Sequence, residues 1–213
     1  MTLVHVITQE NRALYEDSIR QFYRLRHQIF VEERGWQDLR QSSGLEIDDY
    51  DNQHAIYLLA LDGGRLVGGQ RLYPTVLPHM ISEVFPHMAS RGIPQAPHIF
   101  EWTRYFVVKE RRTGRTDCRL LAAMQEFCLD EGIAEVTAVV EMWWLPRWQQ
   151  AGFKVRPLGL PQTIENQPCI AAAIEISQAS LDHVRKLAGL RGPSLVREGG
   201  LSPLLERVPH VAA

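Results

Sequence analysis

Six charged residues stand in apolar or aromatic surroundings: Arg26 in "FYRLRHQIF", Asp48 and Asp51 in "EIDDYDNQH", Arg71 in "GGQRLYP", and Glu101 and Arg104 in "FEWTRYF". On the 3.6-residue repeat, Tyr15, Ile19, Phe22, Leu25, Ile29 and Phe30 share one helical arc with Arg26 inside it, while Arg20, Arg24 and Gln28 lie on the other side. An unpaired charge in a low-dielectric interior costs several kcal/mol, so Arg26 requires carboxylate partners. Asp48 and Asp51 lie in a polar loop just ahead of the strand "AIYLLAL" and are placed to turn inward. For any one of the six, a surface ion pair worth roughly 0 to 1 kcal/mol is the competing explanation. Together they fit one shared, partly buried site of mixed charge, which suits a zwitterion.

Glu101 and Arg104 are three residues apart, and on a regular strand that sends them to opposite faces. Either only one of them faces the site, or a bulge re-aims a side chain. A bulge would also splay two strands and open a slot for a thioester arm.

A second candidate is "KERRTGRTD", which resembles the phosphate-binding segment of GNAT acyltransferases, with Arg111, Gly114 and Thr116 on the pattern positions. A glycine turn that presents backbone N–H groups at a helix start suits an anion, although a solvated turn has the same pattern. Lys109, Arg111, Arg112, Arg115 and Arg119 outnumber Glu110 and Asp117 there, which favours phosphate or an acidic carrier protein. Trp143, Trp144 and Trp148 are expected as core residues that could also wall off an acyl pocket. Cys118, Cys128, Met124 and Phe127 are expected to pack, because no His/Asp partner stands at a nucleophile-like spacing.

The elements that would position these residues follow from periodicity and turn chemistry. "LVHVIT" is a strand, and "TQENRALYEDSIRQFYRLRHQIFVEERG" follows with helical spacing after the cap candidates Thr8 and Asn11. "AIYLLALDGGRLVGGQRLYPT" is a hairpin turning at Asp62-Gly63-Gly64. "HMISEVFPHMA" is a short helix or ordered loop, and "SRGIPQAPH" a surface connection into the strand "IFEWTRYFVVKE". Then come a helix "CRLLAAMQEFCLDEG" with Asp117 as N-cap and Gly132 beyond its end, a strand "AEVTAVVEM", a short helix "WLPRWQQAG", a strand "CIAAAIEI" and a helix "SLDHVRKLAG". This mixed order predicts an α/β (α+β) fold, a three-layer α-β-α sandwich around a mixed, mostly antiparallel sheet. Residues 1–190 form one domain, and 191–213, rich in Gly and Pro, are expected as a loosely held C-terminal tail.

With 213 residues, 45% of them hydrophobic, the chain can bury a sizeable core, and its net charge of -2 gives no basic footprint for nucleic acid or an anionic membrane. Three cysteines without CxxC spacing and eight histidines without HxxxH or HExxH make a metal site unexpected. No basic leader or membrane-length apolar run is found, so a cytoplasmic location is expected.

"RLRHQIFVEERGW", "EIDDYD", "GGQRLYPT", "SEVFP" and "FEWTRYFV", in this order, resemble the acyl-homoserine lactone synthase (autoinducer synthase) family over residues 20 to 155. The family's recurrent residues fall on Arg26, Phe30, Trp36, Asp48, Asp51, Arg71, Phe85, Glu101 and Arg104. The resemblance implies a GNAT-like fold and two substrates, S-adenosylmethionine and an acyl thioester carried by coenzyme A or acyl carrier protein, with no tightly bound cofactor. The amine is acylated, then the carboxylate closes the lactone and releases methylthioadenosine. It implies Glu101, Arg104 and Asp48 as catalytic. Arg26, Phe30, Trp36, Asp48, Asp51, Arg71 and Phe85 would then bind S-adenosylmethionine. Arg104, Phe106, Arg111, Gly114, Arg115, Trp143 and Trp144 would lie on the acyl and phosphopantetheine side. The tryptophan pair and the "RRTGR" turn favour the branch that uses coenzyme A esters of branched or aromatic acids, such as isovaleryl-CoA. A GNAT enzyme acting on another amine, or a sensor that binds without turnover, remains the alternative.

Overall fold

The computed structural model of the chain describes residues 2–204. Among these, β1 (Leu3–Ile7), β2 (Ile56–Asp62), β3 (Arg65–Pro74), β4 (Ile99–Val107), β5 (Glu135–Glu141), β6 (Val155–Pro157), β7 (Gln162–Ile164), β8 (Gln167–Glu175) and β9 (Leu195–Val196) form one sheet. The strand order is β6-β8-β5-β4-β3-β2-β1-β9, with β7 also paired to β8. Only β4–β5 and β1–β9 are parallel, so the sheet is mixed and mostly antiparallel.

Helices α1 (Glu16–Arg26) and α3 (Thr116–Asp130) cover opposite faces, and two adjacent glycines of β3 show how closely. A Cβ on Gly69 would lie 2.8 Å from the Phe22 ring of α1, and one on Gly68 would lie 2.9 Å from Leu120 of α3. Consecutive strand residues point to opposite faces, so each glycine admits one helix onto its side of the sheet. Helices α2 (Met80–Glu83), α4 (Trp144–Gln150) and α5 (Gln178–Ala188) complete the outer layers. The predicted three-layer sandwich is the observed fold.

Three local expectations need correction. The helix read as continuous to Gly35 is α-helical only to Arg26, and His27–Glu33 are wound more widely, with Arg34 N–H reaching back to the Ile29 carbonyl. Asp117 is not the N-cap of α3, because the helix already starts at Thr116; its carboxylate instead accepts from Tyr105 Oη at 2.6 Å and pairs with Arg147. The tail is not loosely held as far as Leu204: Leu195 and Val196 pair in parallel with Val4 and His5, Ser194 and Leu204 are buried, and Arg197 pairs with Asp130 and Glu131. The rest of the expected tail, 205–213, lies outside the described residues.

Candidate active site

The register of β3 on β4 slips between Gly69 and Arg71: Gly69 faces Phe106 whereas Arg71 faces Thr103, so one β3 residue opposes two on β4. This is the bulge, the second of the two alternatives that the Glu101–Arg104 spacing left open, and Arg104 takes a left-handed φ of 54° within it. Glu101 and Arg104 consequently reach the same cavity.

On its other edge β4 pairs with β5 only from Ile99 to Glu101 against Glu135 to Thr137. Beyond that the strands part, and a cavity of about 510 Å³ occupies the gap. Its lining comes from both faces of the sheet. Glu101, Thr103, Arg104, Asp48, Phe30 and Phe85 line the α1 side, and Trp102, Tyr105, Trp144 and Trp148 the α3 side. A charged chamber thus communicates with an aromatic one through a slot in the sheet.

Beneath the charged chamber, three guanidiniums interlock with three carboxylates. Arg26, wholly buried, contacts Glu46 and donates to Asp51 at 2.8 Å. Arg71, also wholly buried, donates to Asp48 Oδ2 at 3.0 Å and pairs with Asp51 at 2.9 Å. Arg104 bridges Glu46 at 2.9 Å and Asp48 at 2.7 Å. Burial alone would raise all three carboxyls. The arginines outweigh it and hold Glu46, Asp48 and Asp51 below the ordinary carboxylate range. Of the three, Asp48 reaches the cavity wall.

Glu101 stands apart from this cluster. Its oxygens accept from the N–H groups of Met80 (2.9 Å) and Ile81 (2.7 Å) at the start of α2. Burial pushes its carboxyl up, against the lowering effects of His79, these two N–H groups and Arg71. A carboxylate with a raised pKa on a cavity wall is a general-base candidate.

On the wide turn after α1, Phe30 and Trp36 stack with ring centroids 5.3 Å apart, and the Arg34 guanidinium lies over both rings. Arg34 also pairs with Glu141 of β5 at 2.9 Å, joining the two walls at the cavity. In the aromatic chamber Trp102 stacks on Trp148, and its indole N–H donates to Gln70 at 2.8 Å. Cys169 also lines the cavity, and burial raises its thiol pKa, favouring the protonated form.

The expected residues therefore divide. Phe30, Trp36, Asp48, Phe85, Glu101, Arg104 and Trp144 line the cavity. Arg26, Arg71 and Asp51 lie behind its wall, and the closest carboxylates to Arg26 are Glu46 and Asp51. Phe106 is in the core, stacked on Phe22 at 5.4 Å and outside the cavity. Trp143 is half exposed and stacks on Trp144 at 4.6 Å. Arg111, Gly114 and Arg115 lie off the cavity wall, with Arg111 paired to Asp62 at 2.5 Å. Sequence reasoning missed Glu46, Arg34, Met80, Trp102 and Tyr105; only the aromatic run around Trp102 and Tyr105 hinted at any of them.

The autoinducer synthase family model matches residues 10–184. The isovaleryl-homoserine lactone synthase of Bradyrhizobium diazoefficiens is 53% identical over 97% of this chain and 93% of that protein. The structure of a CoA-dependent acyl-homoserine lactone synthase, BjaI, with SAM and isopentyl-CoA superposes with a TM-score of 0.94 at 50% identity, covering 97% of this chain and 98% of that one. An N-acetyltransferase-type protein of Lactobacillus plantarum shares the fold alone, with a TM-score of 0.56 at 20% identity over 82% of this chain and 99% of that one. The chain belongs to the autoinducer synthase family.

Proposed function

We infer that the chain is an acyl-homoserine lactone synthase that makes a quorum-sensing signal from S-adenosylmethionine and an acyl-CoA, with isovaleryl-CoA the favoured donor. The observation that carries this reading is the cavity crossing the sheet where β4 leaves β5: one chamber suits a zwitterionic amine, the other an apolar acyl group, and Glu101 stands where they meet.

In the interlocked cluster the three guanidiniums balance the three carboxylates, so an ionised Glu101 adds a negative charge that the cluster does not offset. S-adenosylmethionine, with an ammonium, a sulfonium and a carboxylate, carries net +1 and complements it. Asp48 receives the ammonium. Arg104 binds the carboxylate through Nη1, whose acceptor among the described residues is the weakly accepting Met80 sulfur at 3.6 Å. Phe30, Trp36 and Phe85 cover the adenosyl and sulfonium portion. Arg26, Arg71 and Asp51 touch no substrate; they hold Asp48 and Arg104 at fixed positions.

Glu101 takes a proton from the ammonium, and the freed amine attacks the thioester carbonyl presented through the slot. Coenzyme A leaves as the thiol and the amide forms. The carboxylate then attacks the methylene next to the sulfonium. The C–S bond breaks, neutral methylthioadenosine departs, and the lactone ring closes. Displacing a neutral thioether needs little acid help, so alignment of the carboxylate by Arg104 is the main requirement. Trp144 and Trp148 bound the acyl group, and the Arg111–Arg115 turn is the anchor for the CoA phosphates. Both substrates are metabolites of the cell interior, and no helix among the described residues is long and apolar enough to cross a membrane, so we place the enzyme in the cytoplasm.

Mass spectrometry of the purified chain incubated with S-adenosylmethionine and isovaleryl-CoA should detect isovaleryl-homoserine lactone and methylthioadenosine in equal amounts. Faster turnover with acyl carrier protein thioesters would overturn the donor. Binding without either product would leave a sensor, and acylation of another amine without methylthioadenosine an ordinary N-acyltransferase. Glu101→Gln should keep the fold and lose about 10²-fold or more in acyl transfer.

A further inference from the structure

One buried carboxylate on the cavity wall belongs neither to the interlocked cluster nor to Glu101: Glu141, the last residue of β5. Register puts it on the charged side of the sheet. Thr137 is in register with Glu101 and shares its face, and two steps of two residues bring Val139 and then Glu141 to that face. Arg34 reaches it there. Its Nη1 donates to Glu141 Oε1 at 2.9 Å, while its guanidinium lies 5.7 and 5.4 Å from the centroids of the Phe30 and Trp36 rings. The carboxylate is thereby held in one place. Its other oxygen, Oε2, accepts no hydrogen bond among the described residues and is not sealed off from the cavity that Glu141 lines. Asp38, Asp49 and Glu165 also reach the wall, but they are exposed, and water competes for them.

A fixed carboxylate oxygen in a partly dry wall calls for a donor from the ligand. With the ammonium on Asp48, the donors left on S-adenosylmethionine are the two ribose hydroxyls and the adenine amino group. Position separates them. Counted from the Glu101–Thr137 pair, Arg104 lies three residues further along β4 and Glu141 four further along β5, so the two face each other across the gap at nearly one level. With the amino-acid carboxylate on Arg104, the ribose, joined to the sulfonium through C5′, is the near part of the adenosyl group. The adenine amino group is its far end.

We propose that Glu141 binds the ribose of S-adenosylmethionine, its Oε2 accepting from the vicinal hydroxyls, and that Arg34 is the positioning residue that holds it there. A carboxylate on ribose hydroxyls is a general means of recognising a nucleoside. Because Arg34 and Glu141 form a pair of opposite charges, they add selectivity for ribose without altering the charge balance that draws in the cation. This contact rests on S-adenosylmethionine being the substrate.

The test is calorimetric binding of three nucleosides to the full chain and its variants: methylthioadenosine, its 2′,3′-dideoxy analogue, and the analogue with hydrogen in place of the adenine amino group. The wild-type chain should bind the dideoxy analogue roughly tenfold or more weakly than methylthioadenosine, as the loss of a hydrogen bond to a charged group requires. Glu141→Ala should bind methylthioadenosine weakly and lose that preference. Its KM for S-adenosylmethionine should rise by a similar factor, with KM for isovaleryl-CoA unchanged. Arg34→Ala should shrink the preference and Arg34→Lys restore part of it. A dideoxy penalty that survives in Glu141→Ala overturns the proposal, as does a penalty for the amino-deficient analogue that vanishes there instead. Should Glu141→Ala fail to fold, a full wild-type preference in Glu141→Gln overturns it. A wild-type chain that binds no methylthioadenosine removes the S-adenosylmethionine reading itself, whereas one that binds it without regard to the hydroxyls removes only the ribose contact.

Discussion

Two arginine-rich regions of this chain behave in opposite ways. Arg26, Arg71 and Arg104 are shut inside the molecule against Glu46, Asp48 and Asp51, each guanidinium shared between carboxylates. Arg111 and Arg112 sit on the turn before α3, nearly half exposed, each with one carboxylate partner, Asp62 and Glu33. The flanking residues separate the two cases. Arginines spaced among Phe, Ile, Leu and Trp are carried inward with the core, and their partners must follow. Arginines in an unbroken polar run remain where water screens them. Burial and the number of partners, more than arginine content, tell structural charge from a surface available to a passing anion.

The sharpest way to break this contrast is Arg26→Ala. It takes one of two arginine partners from each of the buried carboxylates Glu46 and Asp51 and should cost about 3 to 5 kcal/mol in urea denaturation, with activity lost as Asp48 and Arg104 lose their support. A cost under about 1 kcal/mol would put Arg26 on a par with the surface turn.

Acid is the next probe. Glu46, Asp48 and Asp51 are held below their unfolded values of about 4. The stability they contribute is therefore fully present above that pH and is lost as pH falls through the folded values. Denaturant midpoints measured downward from pH 6 should stay level to about pH 4 and then fall; a slope confined to neutral pH would point away from this cluster.

Arg111→Ala should do least to stability, between 0 and about 1 kcal/mol. It should still raise KM for acyl-CoA in a salt-dependent way while leaving KM for S-adenosylmethionine alone. If KM for acyl-CoA is unmoved, the turn is a solvated surface and the phosphates bind elsewhere.

The contrast also explains what was legible in the sequence. Arg26 was readable because a helix face is a local, periodic signal. The bulge was readable because Glu101 and Arg104 could not otherwise act together. Glu46 was not, since "SSGLEIDDYD" has no periodicity and its pairing with Arg26 exists only once a loop folds across α1. The Asp117 cap was misjudged because a first-turn Asp resembles an N-cap until one residue of helix is added ahead of it. The mixed, mostly antiparallel sheet and the three layers followed from local patterns, and a slot was expected beside the bulge; the strand order and the place of the slot, between β4 and β5, are set by strands far apart in sequence and did not follow.

The short strand Leu195–Val196 has a consequence for anyone shortening this protein. With Ser194 accepting from the Val4 N–H at 2.9 Å, it seals the open border of the sheet along β1. Removing everything after residue 190 would bare that row of donors and acceptors beside an apolar strand, a template for a second chain. Light scattering on such a truncation should show self-association, with the catalytic cavity, at the far side of β3, left intact in each copy.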